Sequence, residues 1–345
     1  MLIQLEALKF RDKQVLRNLM ELNMHDQSEY DGYNINDHGL YDYRYIDHYH
    51  TDKNRKAYFI RADGRLAGFV LLRLDSDHNS LGEFFILRKF RRHRVGSRVA
   101  ERVFEMHPGR WQVSQLETNV PAQTFWCKFL ARYTGGAYTE GHGPDEDFPF
   151  FSGPLQRFTI PETTRIYLIR HAHSEPNADE AGRPLSARGE ADLAQVKRIM
   201  AGEFIDRVYS SPYRRAVQTV EGVAAIFGHE VIRCEGFRER QLAAGSLPYG
   251  PEQVKQAWQD EDFCLAGGES NRVAAARGSA ALSDVLAENR GRRAAVGLHG
   301  TIMTLIMKEL DSRFDYEFSR NLSTPDIYCL TFHNGAFASA LRIWS

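Results

Sequence analysis

IYLIRHAHSEPN, residues 166–177, runs four apolar residues directly into an arginine and two histidines. Residues 166–169 have the length, apolarity and β-branching of a strand covered on both faces. A strand of that kind normally ends in turn residues. This one ends in cationic and basic groups, at the edge where open α/β sheets carry their ligands.

The sequence after this stretch repeats the alternation. It predicts a helix over 187–201, a strand at 208–209, a helix over 213–227, a helix over 272–289, the strand AAVGL at 294–298 and a helix from Thr301. Alternating strands and helices imply a mostly parallel sheet with helices on both faces, a three-layer α/β domain.

The first half differs. A helix near 11–24 precedes AYFIRADGRLAGFVLLRL, 57–74, in which Asp63-Gly64 separates two apolar runs as a hairpin turn does. The strand EFFIL, a basic turn and the helix VGSRVAERVFEM follow, giving a mixed α/β sheet with a strand–turn–helix at its centre. Between the halves, 141–164 is rich in Gly, Pro and acids, and 161–164 reads as the linker. The expected domains are 1–160 and 161–345.

Composition narrows the partners. The 345 residues carry a formal net charge of −1, with 43% apolar and 26% charged residues, so no overall attraction to nucleic acid or an anionic membrane is expected. No apolar run reaches the ~18 residues that span a bilayer. The start, MLIQLEALKFRDK, lacks a secretory apolar region, so a cytoplasmic location is expected. Four scattered cysteines with no CxxC pair argue against a disulfide framework or a cysteine zinc site. Self-association as a homo-oligomer stays open.

Four separated pieces of the second half carry chemistry: RHAHSEPN, SSPYRRAVQT (210–219), FRERQ (237–241) and LHG (298–300). Each lies just beyond a predicted strand or at a helix start, so all can meet at one sheet edge. Arginines grip a phosphoryl group through forked donors, a neutral imidazole attacks phosphorus, and a carboxyl supplies the leaving-group proton. His171 and His173, with no carboxylate ligand beside them, make a poor zinc pattern, and no metal is expected.

On these four motifs, in this order, the second half resembles the histidine phosphatase superfamily, which includes the phosphoglycerate mutases. The resemblance implies that His171 becomes phosphorylated, that Arg170 and Arg215 hold the phosphoryl oxygens, and that His299 completes the pocket. It also places Asn177 at the family's substrate-binding asparagine and Glu239 at its acid, with no added cofactor. His173 stands where many members have Glu, and reads either as an orienting group or as an exposed one. The short stretch 220–236 leaves little material for a mutase cap and favours a phosphatase of some phosphorylated small molecule.

In GEFFILRKFRRHRVGSRVAERVF, 82–104, a helix start follows five Arg and Lys residues, at 88, 89, 91, 92 and 94. Unpaired amides at a helix start make an anion site. The other reading is a solvated face or a nucleic-acid patch. This half resembles GNAT-type N-acyltransferases, whose strand is followed by Arg/Gln-x-x-Gly-x-Gly/Ala. The resemblance implies acetyl-CoA as cofactor, with its pyrophosphate on Arg91, Val95, Gly96 and Ser97, and an unknown acyl acceptor. Arg94 replaces the first family glycine. NVPAQTFW, 119–126, matches a further family segment, with Asn119 at the cofactor arm and Trp126 where many members carry a tyrosine acid. Glu83 reads as the general base or as a plain charged strand residue. The tyrosines at 30, 33, 41, 43, 45 and 49 read as an acceptor pocket or as surface packing.

Overall fold

The computed structural model describes residues 1–143, 152–177, 179–244 and 250–345. Much of the Gly/Pro-rich stretch before the expected linker, and parts of the 177–186 and 241–270 loops, lie outside the described residues. The chain forms two compact units, Met1–Pro161 and Glu162–Ser345. Both are α/β.

The first unit contains β1 (Ile3–Ala7), α1 (Lys13–Asp31), α2 (His48–Thr51), β2 (Arg55–Ala62), β3 (Arg65–Leu74), β4 (Asn79–Ile86), α3 (Val95–Met106), β5 (Gly109–Ser114), α4 (Val120–Tyr133), β6 (Tyr138–His142) and β7 (Pro154–Ile160). Its seven strands lie in the order β1-β2-β3-β4-β5-β7-β6. The β2–β3 turn forms as the sequence implies. Asp63 and Gly64 both take positive φ, 49° and 74°, the twist that suits a two-residue hairpin. The helix expected near 11–24 continues to Asp31, where Gly32 at φ 70° ends it. Leu16, Met20 and Met24 of α1 pack on Phe59, Phe69, Leu71 and Phe85. A second aromatic cluster joins Phe104, Trp111, Trp126, Phe129 and Phe158.

One irregularity matters for function. β4 and β5 run parallel but pair at only two positions, Asn79↔Trp111 and Ser80↔Gln112. Beyond these, the ladder between them ends, and Glu83–Ile86 continues toward the basic turn and the start of α3.

The second unit contains β8 (Thr163–Arg170), α5 (Ala187–Met200), β9 (Arg207–Ser210), α6 (Arg214–Phe227), β10 (Val231–Arg233), α7 (Pro251–Gln259), α8 (Asn271–Glu288), β11 (Arg293–Leu298), α9 (Gly300–Leu310), α10 (Tyr316–Asn321), β12 (Asp326–His333) and β13 (Ala336–Arg342). The sheet order is β10-β9-β11-β8-β12-β13. The first four strands are parallel, and β12 and β13 join antiparallel. Alternation along β8 shows why its sequence is uninterruptedly apolar. Ile166 and Leu168 face a core shared with α8 and α9, while Tyr167 and Ile169 face one shared with α5 and α6. Each buried side chain of this size contributes about 1.5–3 kcal/mol, so a polar residue on either face would be expensive. The same strand delivers Arg170 and His171 to the edge where β9 and β11 also end.

Candidate active sites

In the second unit, β8 ends in Arg170 and His171, β9 leads through Ser211 to Arg215 at the start of α6, and β11 ends at His299. His171 is buried. Its Nδ1 lies 2.7 Å from the carbonyl of Ala172, which can only accept, so Nδ1 carries the proton. The other nitrogen, Nε2, accepts from Arg215 Nε at 3.1 Å. Both contacts select one tautomer, neutral with a lone pair on Nε2. Burial, and after it the charge of Arg215, pushes the imidazole down to about 3, against the opposing bond to Ala172. His299, fully buried, is driven well below its usual range for the same first reason. Its Nε2 lies 2.8 Å from Ser211 Oγ, and its Nδ1 has no partner.

Arg215 is fully buried, whereas neighbouring Arg214 is exposed. Arg215 also donates to the carbonyl and carboxylate of Glu180, 2.7 Å each. Arg170 anchors Nη1 on the carbonyls of Leu322 and Ser323, at 2.7 and 3.2 Å, and its buried Nε has no partner. Arg183 joins them. Its charge acts on both histidines, its Nη2 lies 3.3 Å from Glu180, and its Nε is buried without a partner. Three guanidinium groups around two neutral histidines, with donors left over, form an anion pocket. A lone arginine in a loop gives no sequence signal, so Arg183 was missed, as was Ser211's hold on His299.

Glu239 is tied to the start of α9. Its carboxylate accepts from the backbone N–H of Arg240, Thr301 and Ile302 at 2.9–3.1 Å. Asn177 is exposed in the loop after His171. His173 is not free. Its Nδ1 lies 2.7 Å from Ser186 Oγ, the N-cap of α5. That helix start packs so closely that a Cβ on Gly189 would lie 2.1 Å from the His173 carbonyl oxygen.

In the first unit, Glu83 is half-buried on β4, its Oε2 accepting from Asn23 at 2.9 Å and Gln27 at 3.0 Å. Burial pushes its carboxyl up to about 7 despite these two donors. Tyr43 and Tyr49 lie within range of its charge and are themselves pushed up by burial. The Tyr49 hydroxyl is buried, with Arg55 the nearest cation. Thus part of the tyrosine cluster belongs to the Glu83 site, as do Asn23 and Gln27, which on a helix face carry no signal of their own.

The basic turn has two jobs. Arg88 and Arg91 both pair with Asp26 of α1, and Arg91 also donates to the Ile86 carbonyl at 2.7 Å. Through Nε and Nη2 the Arg91 side chain holds the turn to Ile86 and α1. Arg92 instead lines a cleft of about 790 Å³ with Ser97, Thr124, Phe125, Lys128 and Arg132. Gly96 faces the aromatic floor, where a Cβ would stand 3.4 Å from Phe125 and 3.6 Å from Phe84. Arg94 takes the left-handed conformation, φ 60°, that the family's glycine serves, and forms no side-chain cap on α3. Asn119 Oδ1 caps α4 by accepting from Ala122 N at 3.1 Å. Trp126 is buried among Phe84, Phe104, Phe125 and Phe129.

The second unit is thus an α/β protein that gathers arginines and two neutral histidines at the carboxyl ends of parallel strands. The model of the histidine phosphatase superfamily (branch 1) matches residues 166–342, just over half of the chain, and the chain belongs to that superfamily. The acetyltransferase (GNAT) family matches residues 18–130 and gives the first unit its class. The chain is 26% identical over 161 residues to the probable phosphoglycerate mutase GpmB of Salmonella typhi, covering 42% of this chain and 74% of that protein. It is 33% identical over 102 residues to the putative phosphoserine phosphatase 2 of Hydrogenobacter thermophilus, covering 27% of this chain and 45% of that one. Among solved structures, mycobacterial glucosyl-3-phosphoglycerate phosphatase is 17% identical with a TM-score of 0.44, covering 52% of this chain and 97% of its own. No helix among the described residues is long and apolar enough to cross a membrane, and no cluster among them offers three or more metal-ligating side chains.

Proposed function

We propose that residues 161–345 form a phosphomonoesterase acting on a phosphorylated small molecule through a phosphohistidine at His171. The observation that carries this is the tautomer of His171, neutral with its lone pair on Nε2, inside three arginines. Nε2 forms a bond to phosphorus as the ester oxygen leaves, and Glu239 supplies the proton that oxygen takes. Water, deprotonated by Glu239, then attacks the phosphohistidine and releases inorganic phosphate. Arg170, Arg183 and Arg215 stabilise the equatorial oxygens, with His299 Nδ1 facing the same charge. Asn177 belongs to the substrate side. A panel of phosphorylated metabolites tested against wild type and His171→Ala identifies the substrate. Equal hydrolysis by the two proteins would remove His171 as nucleophile.

For residues 1–160 we infer an acetyl-CoA-dependent N-acyltransferase. The donor set fits the cofactor: backbone amides at Val95, Gly96 and Ser97, a glycine surface against Phe84 and Phe125, and cations at Arg92, Lys128 and Arg132. Bound acetyl-CoA supplies the activated acyl group. Glu83, near 7, takes the proton from the acceptor amine. A second reading, a CoA-binding or dimerisation module that regulates the phosphatase, is favoured by the Asn119 cap and the buried Trp126, which leave the matched family positions in structural jobs. Calorimetry with acetyl-CoA separates the readings when combined with acetylation of an amine panel. Binding without turnover supports the module, and no binding at millimolar acetyl-CoA removes the cofactor.

A further inference from the structure

We propose that Asp326 is a positioning residue for Arg170, an inference that rests on the phosphatase reading above. Asp326 is fully buried at the first position of β12, directly opposite Arg170 in the antiparallel β8–β12 ladder. The two side chains act through a third group. Arg170 Nη1 is anchored on the carbonyls of Leu322 and Ser323. Asp326 fixes that same segment, its Oδ2 accepting from Ser323 N at 3.0 Å. Its Oδ1 accepts from Ile327 N at 3.0 Å and from Arg342 Nε at 2.8 Å. Arg342 closes the bracket by donating from Nη2 to Ser323 Oγ at 2.9 Å, and that hydroxyl donates to the Pro325 carbonyl at 2.7 Å.

Gly300 confines the guanidinium as well. A Cβ on Gly300 would stand 3.1 Å from Arg170 Cζ and Nε. With one face against Gly300 and Nη1 on two fixed carbonyls, the orientation of the unpartnered Nε is set by where residues 322–323 sit. A turn needing only a cap is served by a neutral Ser or Asn at the surface. A buried carboxylate is costly unless its charge is used. Here the charge pairs with Arg342 at 2.8 Å and also opposes the effect of burial on Arg170, second to Glu239 in doing so.

The test is a double-mutant cycle in the full chain: wild type, Asp326→Asn, Arg170→Ala and the double variant. Hydrolysis of 4-nitrophenyl phosphate and calorimetric binding of vanadate are both measured. Asp326→Asn should lower kcat/KM by about ten- to a hundredfold, the scale of a small misplacement of a reacting group. It should weaken vanadate binding in parallel. In the Arg170→Ala background the same change should cost less than about twofold, because its target is gone. Equal losses in both backgrounds would show a merely structural role and overturn the proposal. Should Asp326→Asn not fold, Arg342→Met, half-exposed at its side chain, replaces it in the same cycle. It should give a smaller loss that again vanishes without Arg170, and an undiminished loss overturns the proposal. A wild type that neither hydrolyses the ester nor binds vanadate defeats the phosphatase reading instead, and this inference falls with it.

Discussion

Replacing Glu83 by glutamine separates catalysis from stability in opposite directions. The carboxyl stands near 7 against a usual 4.5. At about 1.4 kcal/mol per tenfold, ionising it in the folded chain costs up to about 3 kcal/mol relative to the unfolded chain. The side chain keeps some solvent contact, which reduces the figure, and ~1–2 kcal/mol is expected. The sign follows from proton counts. Between pH 4.5 and 7 the folded state holds a proton that the unfolded state has released, so stability present at low pH is lost as pH rises through the folded value. Glutamine carries no such penalty, and the amides of Asn23 and Gln27 can rotate to meet it.

Glu83→Gln should therefore match wild type near pH 4 and exceed it by ~1–2 kcal/mol at pH 8. Urea denaturation of the full chain at the two pH values measures the difference, because terms common to both proteins cancel. Its acyl transfer should fall by about a hundredfold or more, as loss of a general base does. The wild-type rate should rise with pH through about 7. A stability difference that does not change with pH would refute the assignment of the raised carboxyl. Unchanged transfer would refute its role as base.

Arg215→Lys removes the donors to His171 Nε2 and Glu180 together, and kcat/KM for an aryl phosphate should fall by about a hundred- to a thousandfold; a loss under threefold would contradict the fork. Gly189→Ala drives a Cβ to 2.1 Å from the His173 carbonyl and should cost about 3 kcal/mol by denaturation, with phosphatase activity reduced as His171 shifts; a neutral result would mean that α5 moves aside freely. Arg94→Gly relieves a left-handed φ of 60° worth about 1 kcal/mol and should tighten acetyl-CoA binding by calorimetry. Weaker binding would show that the Arg94 charge matters more than its backbone.

Legibility in the sequence followed locality. Arg170, His171, Arg215 and His299 lie within contiguous motifs at strand ends, and the structure brings them together where β8, β9 and β11 finish. Arg183 and Asp326 are single residues; the histidines on which Arg183 acts and the Arg170 opposite Asp326 lie far off in sequence, and nothing in the local pattern distinguishes either from a solvated charge. Asn119 shows the opposite problem. Its match to a cofactor position coincides with a plainer signal, an Asn followed by Val-Pro, which is how a helix starts. Arg91 stands at the first position of the family motif, and its guanidinium also pairs with Asp26. The strands β12 and β13 are absent from the sequence reading, although IYCL, 327–330, is an apolar run as long as 166–169. They are not decoration, since β12 carries Asp326 to the pocket edge.

The two units use one device, a strand leading into a helix start, and divide its amides differently. In the second unit the amides of Thr301 and Ile302 are taken by Glu239, so the start of α9 carries its own carboxylate. Charge on an incoming phosphoryl group must then be met by arginines, whose forked donors suit a compact dianion. In the first unit the nearby carboxylate, Asp26, binds the side chains of Arg88 and Arg91, and α3 begins with no side-chain cap. On the acyltransferase reading proposed above, its amides would meet the cofactor pyrophosphate, with Arg92, Lys128 and Arg132 at the cleft. On the functions proposed for the two units, where each acid lies accounts for the kind of phosphate each would take: a terminal phosphoryl group gripped by side chains, or a bridging one cradled by backbone.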